Sequence, residues 1–272
     1  MHDDVPRAAG AGVRPVPFRG GGFRPQTNTY VSLAVFAGLI LLWEGGSRAG
    51  LISPIALPAP SQVIVALADL VRTGMLWKNL SVSLMRLGVG WVLGSILGIV
   101  VGLLIGLFTI ARAALLQLTS ALFAVPKIAL LPLFIVWFGI GESSKIATIL
   151  FGTFFPTVIA TYSGVDNVDR NLIRMAQSFG LSWGSIVRKI ILPGALPAIL
   201  SGLRISSAIA IVLLVAAEMI GAQFGIGAYI LQAGSLFAID QLIAGVTILA
   251  VLGLFISWAI GRAERHFLDW RS

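Results

Sequence analysis

The sequence predicts an all-α membrane protein, a polytopic bundle of about six transmembrane helices. Hydrophobic residues make up 57% of its 272 residues and charged residues 11%, whereas soluble globular chains have roughly 45–50% and about 25%. The mean hydropathy of +0.97 favours the same class. The apolar residues form long runs and not the short alternating segments of a membrane β-barrel, so the spans are predicted to be helices.

The composition also excludes several kinds of functional site. The chain has no cysteine, which rules out disulfides, iron–sulfur clusters and thiolate metal sites. Its two histidines, His2 and His266, lie near the termini, which argues against a histidine-based metal or proton-relay centre. The net charge of +8 is typical of basic residues that face anionic lipid, so no nucleic-acid partner is expected. We expect no cofactor on this chain.

Residues 30–78 are predicted to hold the first span and a surface helix. The span covers residues 30–47, with Glu44 near its outer end. A proline-rich break follows, in which Ser61 is the predicted N-cap of a helix at residues 63–71. Asp69 and Arg72 give that helix a polar side, so it is predicted to lie on the outer membrane surface.

Residues 79–263 are predicted to form the membrane core. Prolines at 126 and 132 are expected to interrupt the third span, and Pro156 the fourth. The apolar stretch 224–239 is short and rich in glycine, which favours a surface or a re-entrant segment over a span. The five remaining spans are predicted at residues 87–110, 115–138, 146–163, 195–221 and 242–260.

The second span carries glycine at every fourth position, which places these glycines on one face of the helix: 90, 94, 98, 102 and 106. Such a stripe lets the backbones of two helices approach closely in lipid. We favour packing within one subunit, with a contact between subunits as the alternative.

Basic residues set the predicted orientation. With the N-terminus inside, the internal segments hold twelve of the lysines and arginines and the external segments four. The positive-inside rule therefore places both termini in the cytoplasm. Residues 1–29, with four arginines among glycine and proline, are predicted to be a disordered cytoplasmic tail, and residues 264–272 a C-terminal tail.

One internal loop, residues 164–194, stands out by its length and pattern. Asp169 is the predicted N-cap of a short helix that ends at Gly180, in the position that favours a left-handed residue. Ser182 starts a second short helix, which is predicted to end at Leu192 and Pro193. Two amphipathic, basic helices bent at Gly180 would fit a groove on a soluble partner or lie on lipid headgroups.

The loop resembles the EAA loop of permeases of binding-protein-dependent ABC importers, whose pattern reads E-A-A-x3-G-x9-I-x-L-P. Arg174 stands at the glutamate position and Met175 at that of the first alanine. The resemblance implies that the loop, with Arg174 and Leu181 included, contacts a cytosolic ATPase. The residues that match the pattern are Ala176, Gly180, Ile190, Leu192 and Pro193.

Further segments between residues 57 and 262 resemble the sulfonate, nitrate and taurine branch of that family. The resemblance implies the type I ABC importer permease fold and a homodimeric pore in the inner membrane of a prokaryote. It also implies an external binding protein and, as substrate, a small anion or organic solute such as a sulfonate, nitrate or taurine. The segments are LPAPS (57–61), PKIALLPLF (126–134), WFGIG (137–141), LPGALP (192–197) and AEMIG (217–221).

The chain itself contains no G-x4-G-K-[ST] sequence, so it has no Walker A loop, and ATP would be hydrolysed by a partner subunit. The alternative is a secondary transporter or channel that works without ATP, which would need several acids inside the membrane or a repeated hydropathy pattern. A membrane-embedded enzyme would need a reactive cluster. The sequence has neither the acids nor the hydropathy repeat of such a transporter, and it has no reactive cluster.

Lys127 and Glu218 are ionisable residues inside predicted spans, where a charge facing lipid is costly. Either residue could line the substrate pathway. The prolines at 126 and 132 would interrupt the helix near Lys127 and expose its backbone polar groups to a water-filled cavity. Alternatively, each side chain pairs with a buried charge or a backbone carbonyl and holds the bundle together. A cation in the pathway would suit an anionic substrate.

Overall fold

The structure, a computed structural model, describes residues 29–53 and 55–268, and over these ranges the chain is helical with connecting turns. The predicted N-terminal tail lies outside the described residues except for Thr29. A 3-10 turn covers Lys127–Leu130 and a π turn Val187–Ile191. The α-helices are α1 (Thr29–Arg48), α2 (Pro60–Arg72), α3 (Met75–Leu107), α4 (Thr109–Phe123), α5 (Leu131–Phe138), α6 (Glu142–Asp166), α7 (Arg170–Ser178), α8 (Trp183–Ile186), α9 (Leu192–Met219), α10 (Ile226–Ser235) and α11 (Ile239–Leu268).

In the described chain, five helices are long and apolar enough to cross a membrane, and the number rises to six if one bent pair of helices counts as a single span. The five are the helices α1, α3, α6, α9 and α11, and the pair is α4 and α5 with the turn between them. The predicted number of about six spans agrees with this range.

The centre of the bundle is the packing of α3 on α6 and of α6 on α9. The five glycines of the stripe on α3 face, one by one, five residues of α6 that are also four positions apart, from Ile149 to Val165. A Cβ atom added at Gly98 would lie 2.7 Å from Thr157 Cβ and 2.8 Å from the Phe154 carbonyl oxygen. The stripe therefore packs within the subunit, and the favoured interpretation is confirmed.

The predicted start of the second span, at residue 87, is wrong. Helix α3 begins at Met75, so the predicted boundary between residues 78 and 79 falls inside it. The physical reason is the polar stretch before residue 87. Asn79, Ser83 and Arg86 are at most 3% exposed because they face the bundle interior and bind other parts of the chain.

The third predicted span is not one helix. Helices α4 and α5 are bent by 91° at the break that precedes Lys127. Pro126 and Pro132 lie on either side of the 3-10 turn, and each lacks the N–H group that a continuous helix would use. Pro156, in contrast, does not break the fourth span, because α6 continues through it. Prolines are tolerated in membrane helices when neighbouring helices pack around them.

The surface helix α2 starts earlier than predicted, and its N-cap is Ala59 instead of Ser61. Pro60 occupies the first helical position, where the N–H group that proline lacks would have no partner within the helix. The Gln62 side chain accepts a hydrogen bond from the Ala59 N–H (Oε1–N 2.9 Å). Ser61 instead donates its N–H and its hydroxyl to the Glu44 carboxylate, at 3.0 and 2.8 Å, and so ties α2 to α1.

The segment 224–239 contains α10, whose ten residues are too few to cross a membrane. This helix packs on α9 and α11, and the chain then enters the last span. Helix α11 continues into the predicted C-terminal tail, as far as Leu268. Residues 269–272 lie outside the described residues.

Candidate functional site

Residues 164–166 of the predicted loop 164–194 still belong to α6, and the first helix wholly inside the loop is the capped helix α7. The Asp169 carboxylate accepts a hydrogen bond from the Asn171 N–H (Oδ1–N 2.8 Å), so Asp169 is the N-cap, as predicted. Ala176 is buried in a core of apolar side chains, and Ile173 packs against the same core. One face of α7 is thereby fixed against the bundle.

Gly180 forms the predicted bend, with a φ angle of +72°. Its N–H donates to the Gln177 carbonyl at 2.9 Å, and the Leu181 N–H donates to the Ala176 carbonyl at 3.1 Å. These two bonds form the Schellman motif, which requires a left-handed residue at Gly180. Because the Leu181 side chain packs on the same core as Ala176, the direction of the chain is fixed on both sides of the bend.

The second half of the loop differs from the prediction. The helix that starts after Ser182 does not end at Leu192 and Pro193, since α8, the π turn and α9 form one helical span over Trp183–Met219. Pro193 lies in the first turn of α9, directly after the π turn. A π turn shifts the backbone hydrogen bonds by one residue, which lets the helix continue at a proline. The loop is therefore joined to the membrane span without a break, and Ile190 packs against the core.

The opposite face of the loop is apolar and exposed. Arg174, Arg188 and Lys189 are also exposed and give this face a basic rim. A rigid, exposed apolar surface of this kind marks a docking site, for a protein or for lipid headgroups. Its large apolar side chains, which are 46–77% exposed, are Leu172, Met175, Phe179 and Trp183.

Lys127 lies at the bend between α4 and α5 and is partly buried. Its ammonium group donates a hydrogen bond to the carbonyl of Phe123, the last residue of α4. The Nζ atom also lies 4.6 Å from the centre of the Phe123 ring and 5.7 Å from that of the Phe155 ring, within the range of cation–π attraction. The bend thus presents a cation with aromatic neighbours inside a predicted span.

Glu218 is fully buried at the end of α9, in a closed hydrogen-bond network. Its carboxylate accepts from the Ser83 hydroxyl (2.8 Å), from Arg86 Nη1 (2.9 Å) and from the Gly227 N–H (2.8 Å). The last bond caps the N-terminus of α10 with a carboxylate, which the helix dipole favours. This arrangement is the one expected of a residue that holds the bundle together.

Arg86, to which the sequence reasoning gave no role, joins α3, α6 and α9 to the connection that precedes α10. Its Nε and Nη2 atoms donate to the two carboxylate oxygens of Glu142, at 2.5 and 2.7 Å. Its Nη1 atom donates to Glu218 and, at 2.7 Å, to the Phe224 carbonyl. The signal that could have revealed it is the spacing of Asn79, Ser83 and Arg86, which puts three polar groups on one face of an apolar helix.

Lys145 is a second buried cation. It lies in the first turn of α6, is 2% exposed, and donates to the carbonyls of Ile140 and Gly141 at 2.9 and 3.0 Å. These bonds fix the turn that precedes α6. Across the part of the chain that the structure describes, no three histidine, aspartate or glutamate side chains come together in a way that could hold a metal ion.

Comparison with known proteins places the chain in a family. Residues 94–268 match the model of the binding-protein-dependent transport system inner membrane component. SsuC of Escherichia coli (strain K12), a permease protein whose name assigns it to aliphatic sulfonate transport, is 40% identical over 233 residues, covering 86% of this chain and 89% of SsuC. TauC of the same strain, a taurine transport system permease protein, is 36% identical over 245 residues, covering 88% of this chain and 89% of TauC.

The fold is also found in solved structures. A chain of the MetNI methionine ABC transporter, in an inward-facing conformation, aligns with a TM-score of 0.60 at 22% identity, over 72% of this chain and 95% of that chain. A chain of an amino acid ABC transporter aligns with a TM-score of 0.58 at 18% identity, over 74% and 97%. The predicted fold of an ABC importer permease is confirmed. The chain belongs to the family of inner-membrane components of binding-protein-dependent transport systems.

Proposed function

We propose that two copies of this chain form the substrate pathway of an ATP-driven importer in the inner membrane of a prokaryote. The substrate is a small sulfonate such as taurine or an aliphatic sulfonate, an assignment that rests on the names of SsuC and TauC. An external binding protein delivers the substrate, as the family description implies. The chain itself is not catalytic and binds no cofactor, and a cytosolic ATPase subunit hydrolyses ATP. Both termini face the cytoplasm.

The loop at residues 164–194 is the part that docks on the ATPase. The single observation that carries this proposal is the exposed apolar face of a loop that is fixed on both sides of Gly180 and continuous with α9. A surface with fixed shape transmits a displacement of its partner, whereas a flexible loop would absorb it. The basic rim, which includes Arg174, sets the charge that the ATPase groove must complement.

Lys127 lines the substrate pathway in this proposal, and Glu218 does not. The Lys127 ammonium group has three donors, and one of them is used in the bond to the Phe123 carbonyl. The remaining donors suit the oxygens of a sulfonate group. Glu218 has no comparable capacity, because serine, arginine and backbone donors already surround its carboxylate.

The docking role is tested by Gly180→Val, with Gly74→Val as the matched control. Both glycines have nearly the same φ angle, +72° and +73°, and no atom lies within 4 Å of the position of an added Cβ at either one. Valine therefore imposes the same backbone strain, roughly 1–2 kcal/mol, at both sites. Gly74 precedes α3, at the end of the bundle away from the loop.

We expect Gly180→Val to reach normal levels in the membrane but to lose most of the copurifying ATPase and most ATP-dependent sulfonate uptake. Gly74→Val should keep both. Full ATPase binding and full uptake in Gly180→Val would show that the loop is not the docking element. Uptake that persists in cells without the ATPase gene would instead support a transporter or channel that works without ATP.

A further inference from the structure

A cavity of about 320 Å³ lies at the end of the bundle where α6 begins and α9 ends, opposite the loop at residues 164–194. Helix α3 and two connections line it, the one that precedes α6 and the one between α9 and α10. The two connections meet closely, because a Cβ atom added at Gly221 would lie 3.0 Å from the Ile140 side chain. With both termini in the cytoplasm, as proposed, this outer cavity faces the outside of the cell.

Two buried cations and one half-exposed carboxylate line the outer cavity. Arg86 and Lys145 are each 2% exposed. The Lys145 ammonium group has three donors and uses two of them on the carbonyls of Ile140 and Gly141. Glu142 accepts from the Nε and Nη2 atoms of Arg86 with its two oxygens, and its side chain is 49% exposed. The Glu142 carboxylate is therefore the part of this ion pair that reaches solvent.

Glu142 and Glu218 differ in how easily each can leave Arg86. Glu218 is fully buried and is also held by the Ser83 hydroxyl and the Gly227 N–H, so it stays in place. Glu142 is half exposed, and water can take over its hydrogen bonds when the side chain turns away. An exposed carboxylate loses little free energy when it leaves its partner, at most about 1 kcal/mol for a typical surface pair.

The charges around the outer cavity decide what can replace Glu142. Arg86 and Lys145 carry two positive charges, and Glu142 and Glu218 carry two negative charges, so the group is neutral as it stands. When Glu142 turns away, one positive charge is left without a counter-ion. A sulfonate group carries one negative charge, and two of its three oxygens can accept from Nε and Nη2 of Arg86 as the carboxylate does.

We infer that the outer cavity is an entry subsite for a sulfonate group, in which the solute displaces Glu142 and takes its place on Arg86. Glu142 neutralises the guanidinium group while no solute is bound. The volume of the cavity lies at the lower end of the range for small-molecule sites, about 300–1,000 Å³, and suits a solute of the size of taurine. This inference rests on the proposed function and adds to it a site that receives the substrate before it reaches Lys127.

The test measures binding of methanesulfonate and of taurine to the purified full-length chain in detergent. A ligand that binds only the folded protein raises the melting temperature by an amount that depends on its concentration relative to its Kd. The ionic strength is held constant with sodium chloride, and chloride alone is the reference. We expect a saturable rise with either sulfonate, from which the half-saturating concentration is read.

Glu142→Gln removes the competing charge and keeps the size of the side chain. A site that is open for a fraction of the time binds more weakly by that fraction, so an ion pair closed for about 90% of the time weakens binding about tenfold. We therefore expect Glu142→Gln to lower the half-saturating concentration about tenfold or more. Glu264→Gln is the matched control, because Glu264 also pairs with an arginine at 2.5 Å but lies at the other end of the bundle. It should leave the half-saturating concentration unchanged.

Gly141→Phe is a second variant, which fills the outer cavity without changing its charge. Gly141 lines the cavity with a φ angle of −76°, which any residue adopts, and no atom lies within 4 Å of an added Cβ. The variant should therefore fold, and the ring should take the space of the solute. We expect it to lose the saturable rise.

The inference is overturned if neither the parent protein nor Glu142→Gln shows a saturable rise, or if the two half-saturate within about twofold of each other. It is also overturned if Gly141→Phe keeps the rise, or if chloride alone produces it, which would indicate an adventitious ion only. These measurements need neither the ATPase nor transport. Sulfonate uptake that requires the ATPase can be normal when the subsite fails, so this failure is distinguishable from failure of the proposed function.

Discussion

Replacing Arg86 by methionine tests how the buried network stabilises the fold. In the native protein the guanidinium group lies between two carboxylates, those of Glu142 and Glu218. The Glu142 side chain is 49% exposed and can be hydrated when its partner is lost. Glu218 is fully buried and would keep its bonds from Ser83 and Gly227 but have no cation beside it. The cost of the substitution therefore falls on Glu218.

The expected magnitude follows from the burial of the pair. Removing one partner of a buried ion pair costs about 3–5 kcal/mol, because the remaining charge is left uncompensated. For a protein of this size, 1 kcal/mol shifts the melting temperature by roughly 2–4 °C. Arg86→Met should therefore lower it by about 6–20 °C. Arg204→Met removes an arginine that is 44% exposed from its pair with Glu264 and should cost at most about 1 kcal/mol.

The assay is the loss of the monodisperse peak in size-exclusion chromatography after heating the purified protein in detergent. A third variant, Arg86→Met with Glu218→Gln, removes the buried carboxylate together with its cation. It should be more stable than Arg86→Met alone, since no unpaired charge remains. If Arg86→Met melts within about 3 °C of the parent protein, or if the double variant is the less stable of the two, the assignment of Glu218 to a stabilising role is wrong.

Two further predictions concern packing and transport. Gly98→Ala should destabilise the protein by about 1–3 kcal/mol because its Cβ would collide with α6, whereas Gly88→Ala, in the same helix with open space around it, should be neutral or stabilising in the same melting assay. Equal melting temperatures would contradict the packing of α3 on α6. Lys127→Met should lower sulfonate uptake by about tenfold or more, the effect of losing one charge-assisted contact, with normal ATPase copurification. Lys78→Met, which removes a lysine that lies over the Phe224 ring, should leave uptake intact.

Features that depend on neighbouring residues could be predicted from the sequence. The N-cap at Asp169 and the left-handed turn at Gly180 follow from rules that involve four or five consecutive residues. The glycine stripe follows from helical periodicity. The sequence favoured packing of this stripe within the subunit, but it could not show that the partner is α6. The number of spans follows from the length of the apolar runs.

The features that escaped prediction depend on contacts between distant parts of the chain. Arg86 and Glu218 are 132 positions apart, and Ser83 and Glu218 are 135 apart, so no local pattern shows that they meet. The start of α3 was misplaced for the same reason, because polar residues that bind a remote partner look like residues that face water. The continuation of α8 into α9 was missed because a proline usually ends a helix. Here the π turn before Pro193 shifts the backbone hydrogen bonds by one residue, and the helix continues.

Hydrogen-bonding capacity separates the two ionisable residues that the sequence could not distinguish. The Glu218 carboxylate accepts from serine, arginine and backbone donors, so a substrate could bind there only by displacing bonds that the fold needs. Among the residues that the structure describes, the Lys127 ammonium group is bonded only to the Phe123 carbonyl. A partly exposed cation with donors to spare, at a bend where two prolines interrupt a span, can take an anion without disturbing the bundle. This difference in free donors is the reason why we propose Lys127, and not Glu218, as the residue that lines the pathway.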